Sequence, residues 1–322
     1  MSSNLDSLAV LGAAPTGSLQ SGHDRLSSAH EAIRKYGLDW QVSLAPVLAS
    51  SDPLGVLAPV PRARAVVRMD TKQPLSVVGN RFQPIQNAEA FGFFDTLVGR
   101  RRATYETAGS CDGGRRVWIQ AKLPGDMWIT KQDNVEKYLL LTMLHGGGSL
   151  WVLTTPRRVW CQNMLHHVLE EGKSRAIRIR HVGDIGEKVR EAERLLDLSA
   201  ASFDIFMDQA KSFAGRMIKK EALHAYFETL LPNPKDGDPS RAIATREAFT
   251  RLFESGKGND LPSVRGTLWA ALNGVIEYVD HERHTRVQPG QDEVSGRFKS
   301  AQFGSGAALK ERAWKEALAL LS

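Results

Sequence analysis

At 322 residues and 42% apolar content the chain can fill one large hydrophobic core or two smaller ones, and it reads as a soluble globular protein. It has no apolar run of about eighteen residues, and no basic flank followed by an apolar stretch at its start, so neither a membrane span nor a secretory signal is expected. The net charge of +6 is uneven, with 22 Lys+Arg against 15 Asp+Glu up to Gly183 and 20 against 21 beyond it, which points the first part, not the second, at a polyanion.

Residues 1 to 24 are rich in Ser, Gly and Ala with little periodicity, the composition of a flexible tail. Ser27 or Ser28 offers an N-cap for a short helix to Tyr36, and Gly37 offers its stop. From Leu44 to Pro61 prolines and small residues describe an extended, irregular connection. Arg62 to Met69 is the first clear strand. Arg62, Arg64 and Arg68 fall on one face at period two, and Ala63, Ala65, Val67 and Met69 on the other, so a basic stripe is expected opposite a core face. Asp70 to Pro74 reads as a turn, Leu75 to Val78 as a returning strand ending at Gly79-Asn80, and Asn87 as the N-cap of a helix burying Phe91, Phe94, Leu97 and Val98.

A second hairpin is expected where Thr104 to Ala108 meets Arg116 to Leu123 across Asp112-Gly113-Gly114. Val117, Ile119, Ala121 and Leu123 would point to one side, and Arg116, Trp118, Gln120 and Lys122 to the other. An indole among cationic and amide side chains on a polar face suits base stacking; the same indole also suits packing beneath a loop.

The stretch from Lys137 to Glu171 organises the rest. Two apolar runs, Tyr138 to Leu144 and Leu150 to Thr155, flank Gly146-Gly147-Gly148 and read as a hairpin covered on both faces. Pro156 then suits a first helical turn with Thr155 as N-cap, which would gather Arg157, Arg158, Gln162 and Asn163 at a helix N-terminus, where free N–H groups favour an anion. Arg175 to His181 is read as one more strand, with Arg178 and Arg180 on one side. From Asp184 the pattern turns helical, with helices expected at Lys220 to Leu231, Arg241 to Ser255, Val264 to His281 and Ala307 to Leu321. The fold class expected is α+β. A basic α+β domain would span 25–183, and a helical region, 184–322, would pack on it or serve oligomer contacts.

Several motifs bound the chemistry. No G-x-x-x-x-G-K-[ST] or G-x-G-x-x-G segment occurs, so no nucleotide cofactor is expected. Gly304-Ser305-Gly306 before a helix with Lys310 imitates an anion nest, but such glycines more often only start a helix. Asp112 with Gln120 and Lys122 imitates a Mg²⁺ nuclease pattern, but no acidic cluster accompanies it. His281 and His284, beside Asp280 and Glu282, supply too few ligands for zinc, and His166 and His167 suit a helix C-terminus. The two cysteines, Cys111 and Cys161, stand 50 positions apart, which argues for a reducing compartment and against a disulfide framework; Cys161 reads as a buried structural thiol. No metal and no catalytic residue is assigned.

Arg68-Met-Asp70, Val78-Gly-Asn-Arg-Phe-Gln-Pro84, Tyr105-Glu-Thr-Ala-Gly109, Gly114-Arg-Arg-Val-Trp118, Thr155-Pro-Arg-Arg-Val-Trp-Cys-Gln-Asn163 and Tyr278-Val-Asp-His281, taken in order over about residues 25 to 315, resemble a phage/plasmid-like family known mainly as a domain of unknown function. The resemblance implies mobile-element biology in a bacterial cytoplasm and supplies no reaction. Hairpins alternating with helices on a basic half are also similar in architecture to Rad-type and Erf/RecT-type single-strand annealing proteins. The function expected is therefore non-enzymatic binding of single-stranded DNA, as an ATP-independent annealing or recombination mediator, with a homo-oligomer as its form. Arg62, Arg64, Arg68, Arg116, Trp118, Lys122, Arg157, Arg158, Asn163, Arg178 and Arg180 are its expected contacts. A protein-interaction or host-takeover factor is the alternative, and a Mg²⁺-dependent nuclease the third reading.

Overall fold

The computed structural model describes residues 28–50, 55, 57–99, 103–147, 149–159, 176–180, 185–286 and 293–322. The tail, Asn163, Cys161 and the expected helix beyond Trp160 lie outside them. In chain order the elements are α1 (Ala29–Lys35), β1 (Val42–Ser50), β2 (Leu57–Arg68), β3 (Pro74–Gly79), α2 (Asn87–Gly99), β4 (Thr104–Cys111), β5 (Arg116–Lys122), β6 (Met127–Trp128), β7 (Asn134–Glu136), β8 (Tyr138–Leu144), β9 (Ser149–Thr154), β10 (Arg157–Arg158) and β11 (Ala176–Arg180). Then come α3 (Ile185–Ala214), α4 (Lys220–Leu230), α5 (Ser240–Ser255), α6 (Leu268–Glu277), α7 (Glu293–Phe303) and α8 (Ser305–Ala319). Antiparallel sheets fill the first half and helices the second, which is the α+β class. Among the described residues no helix is long and apolar enough to cross a membrane.

The chain divides into two compact units that interleave along the sequence. One holds the described residues up to 124 together with 139–153 and 176–197; the other holds 125–138, 154–159 and the described residues from 198 onward.

In the first unit, α1 starts where the Ser28 hydroxyl accepts from Glu31 N and ends at Gly37, whose φ of 63° a glycine adopts without strain. β1, β2 and β3 form an antiparallel sheet in that order. The stretch 44–61, expected as an irregular connection, is largely a regular ribbon. Its prolines, Pro46, Pro59 and Pro61, are tolerated because β1 is an outer strand and β2 pairs with β3 only from Ala63↔Gly79 onward. The expected sidedness of β2 holds from Arg62 to Ala65, where the arginines are exposed and the alanines partly buried, and fails from Val66 on. Val66 is its fully buried residue and lies on the arginine side, while Met69 is 38% exposed, because a bulge at Val66/Val67 and a left-handed φ of 60° at Arg62 break strict alternation.

The other sheet runs β11-β9-β8-β5-β4. Its β4–β5 hairpin turns through Asp112–Gly114 and its β8–β9 hairpin through Gly146, both as expected. Gly146 has φ 114°, and a Cβ there would lie 2.3 Å from the Ser76 hydroxyl, so only glycine fits. Tyr105, Ala108, Val117, Ile119, Leu139, Leu141 and Val152 fill this core.

In the second unit, β10, β7 and β6 form a small antiparallel sheet. The helical core is aromatic: Trp314 stacks on Phe206 at 5.3 Å and meets Phe213 edge-on at 5.1 Å, and Phe227 meets Phe249 at 5.4 Å. α6 is buried along its whole length, so its sequence reads apolar on every face. Thr267 caps it by accepting from Ala270 N, and Tyr278–Glu282 continues it as a wider π turn.

Candidate nucleic-acid interface

The expected cations fall into two kinds. Arg62 and Arg64 are exposed on β2. Val78 of β3 faces Arg64, and just past that strand Phe82 N donates to Gly79 O, closing a turn that holds Arg81, also exposed. The register thus brings a third arginine to the end of the β2–β3 pair where Arg62 and Arg64 stand. Among the described residues none of the three makes an ion pair, and the sequence supplies no acid between Asp70 and Glu89. Sequence reading missed Arg81; the signal available was its distance past Gly79, which becomes informative once the pairing register is known.

Arg68 belongs to the other kind. Its guanidinium pairs with Asp70 at 2.8 Å, donates to Gly113 O at 3.2 Å and lies 4.5 Å from the Trp40 ring centre. Those bonds hold the Asp70 carboxyl below its ordinary pKa. Trp40 in turn meets His145 at 5.1 Å, and the His145 ring bonds Asn87 Oδ1 at 3.0 Å. Asn87 does start α2, but its amide spans Leu38 O and His145 instead of capping the helix. Burial, helped by the Arg68 charge, pushes His145 down to about 4, so at neutral pH it is an uncharged structural group.

The polar face expected on β5 is interior. Trp118 is 1% exposed, with its indole against Gly109 of β4, where a Cβ would come within 2.9 Å of the ring; it is no open stacking platform. Gln120 is buried and shares a hydrogen bond with Thr107, and Arg116, half-buried, donates to Thr142 Oγ1 at 3.4 Å. Lys122 is half-buried at the end of the strand. β5 lies between β8 and β4 and is buried on both faces from Val117 to Ala121, which alternation cannot reveal.

Arg157 and Arg158 do not start a helix. They form β10 and pair with Glu136 and Val135 of β7. Arg157 contacts Glu136 at 3.0 Å and the Tyr138 hydroxyl, and lies 4.2 Å from that ring's centre. Arg158 and Asp133, both wholly buried, meet at 2.9 Å; Arg158 also donates to Asn259 Oδ1 at 2.8 Å and Gly258 O at 2.7 Å, while Asp133 accepts from Trp269 Nε1 at 2.8 Å. With all three guanidinium nitrogens bonded to protein oxygens, this pair ties β7, β10 and the loop before α6 together and is committed to the interior, not to a phosphate. Arg178 and Arg180 lie in β11 opposite Trp151 and Ser149.

Among the described residues no three His, Cys, Asp or Glu side chains converge; Asp280 pairs with buried Lys310 at 2.7 Å and His284 meets Glu293 at 3.0 Å. Glu277, buried in α6, has its pKa raised by desolvation.

One more surface feature escaped the sequence reading. Trp128 of β6 is 53% exposed and lines an open pocket of about 560 Å³ with Ile129, Thr130 and Lys131.

A family profile described as "Domain of unknown function (DUF932)" matches residues 74–302. No curated protein and no solved structure matches the chain.

Proposed function

The chain belongs to the DUF932 family, a domain of unknown function, and we propose that it binds single-stranded DNA without ATP, as an annealing or recombination mediator. The observation that carries this reading is the cluster of Arg62, Arg64 and Arg81, exposed and free of ion pairs among the described residues. Internal carboxylates neutralise Arg68 in the first unit and Arg157 and Arg158 in the second, whereas Arg62, Arg64 and Arg81 meet water with no acid partner among the described residues. Guanidinium groups two residues apart on an extended strand suit successive phosphates of an extended chain, whose bases stay open for pairing. The proposal includes a mobile-element origin, a cytoplasmic setting and a homo-oligomer, which the quoted motifs and the architectural likeness support.

Fluorescence anisotropy with a labelled dT20 oligonucleotide tests it. The three arginine contacts contribute about −2 to the log–log salt slope, enough by themselves for a fourfold rise in salt to lower affinity about 20-fold. The Arg62→Ala, Arg64→Ala, Arg81→Ala triple variant is expected to remove that share, making the slope shallower by about 2. An absence of binding by the wild type at low salt overturns the proposal.

A further inference from the structure

The β6–β7 hairpin combines three features that together suit one kind of ligand. The first is a large aromatic surface facing outward. Met127 and Ile129 are buried, 6% exposed each, and alternation along the strand turns Trp128 between them to the outside. Trp40, Trp118, Trp269 and Trp314 are all buried, so this exposed indole stands apart from them.

The second is charge. Between Gly125 and Tyr138 the sequence holds Asp126, Lys131, Asp133, Glu136 and Lys137, which looks acidic. Two of those acids are consumed internally, Asp133 by Arg158 and Glu136 by Arg157. What the hairpin offers outward is therefore net cationic. Lys131 lines the pocket beside the indole, and the Lys137 ammonium lies over Gly125.

The third is rigidity. Ile129 N and Thr130 N both donate to Asp133 O, the Thr130 hydroxyl accepts from Asp133 N at 3.1 Å and meets Ser263 Oγ at 2.8 Å, and Ser263 N donates to Gln132 Oε1 at 3.3 Å. Asp133 itself is clamped by Arg158 and Trp269. A platform held this firmly loses little freedom when a ligand settles on it.

We propose that Trp128 is a stacking platform for an unpaired nucleobase, with Lys131 as the partner of that nucleotide's phosphate. A planar indole beside an ammonium matches the two halves of a nucleotide, and stacking accepts any base because every base has a π face. The inference rests on the single-stranded DNA reading and adds to it a site on other residues. It differs from the arginine cluster in what it senses: the ribbon meets phosphates alone, whereas this pocket requires a base.

The experiment compares dT20 with an abasic 20-mer of the same charge, on wild type, Trp128→Ala, Trp128→Phe and Lys131→Ala, with thermal melting to show that each variant is folded. Trp128→Ala is expected to weaken dT20 binding about tenfold and leave abasic binding unchanged, Trp128→Phe to recover most of the loss, and dT20 to quench wild-type tryptophan fluorescence more than the abasic strand does. Lys131→Ala weakens both oligonucleotides and lowers the salt slope by about 0.7. If wild type and Trp128→Ala bind dT20 equally, or if the variant loses abasic binding to the same degree, the platform is refuted while the single-stranded DNA reading stands. If wild type binds neither oligonucleotide, both are refuted.

Discussion

Two groups of arginines a few steps apart in spacing have opposite fates. Arg62, Arg64 and Arg81 stand in water on a thin ribbon, and Arg157 and Arg158 are sunk into the second unit with a carboxylate each. Both groups look alike as text, since a cation shows its charge but not its partner. What separates them is where acids fall in space. No acid is available from the strands around the first group, whereas Asp133 and Glu136 lie 25 and 21 residues before their arginines and reach them through strand pairing. A basic excess in composition is therefore an upper bound on the charge a ligand can meet.

The contrast can be broken hardest at Arg158. Arg158→Ala leaves Asp133 charged and unpaired in the interior, and urea unfolding should report a loss of about 3 to 5 kcal/mol. A loss under about 1 kcal/mol would show that the pair is not the buried strut described above. His145 comes next. Its folded pKa of about 4 lies below the ordinary 6.5, so the fold holds the neutral ring. The stability it brings is whole above pH 6.5 and drains away as pH falls towards 4, by about 3 kcal/mol in all. Comparing wild type with His145→Gln across that window isolates the contribution, and parallel acid losses in the two proteins would dismiss it. The smallest effect is expected on the ribbon: Arg62→Ala, Arg64→Ala and Arg81→Ala should each shift stability by less than about 0.5 kcal/mol. A larger shift would mean that the three are structural like Arg158, and would remove them as a binding surface.

The elements that declared themselves in the sequence are those whose signals are local. Ser28 and Gly37 bracket α1, glycines mark the β4–β5 and β8–β9 turns, and periodic apolar residues mark α4 and α5 within a residue of where they lie. The failures share a cause, which is that long-range pairing overrode a local cue. Thr155-Pro156 has the look of a helix start, yet β7 recruits Arg157 and Arg158 as a strand. Arg116, Trp118, Gln120 and Lys122 alternate as a solvent face should, yet β5 is flanked on both sides by strands and covered on both faces. On the candidate site, Arg62 and Arg64 were visible from their spacing, while Arg81 needed the β2–β3 register and Trp128 needed the burial of its two neighbours.

Pro46, Pro59 and Pro61 carry a consequence for how such a ribbon survives in a crowded solution. Among the described residues no strand pairs with the outer edge of β1 or with β2 before Ala63, and such edges invite another chain to add on and propagate a fibre. A proline has no N–H to offer an incoming strand, and three of them interrupt the ladder before it can be copied. The ribbon can thus keep its apolar residues Leu48 and Leu57 in water without becoming the seed of an aggregate.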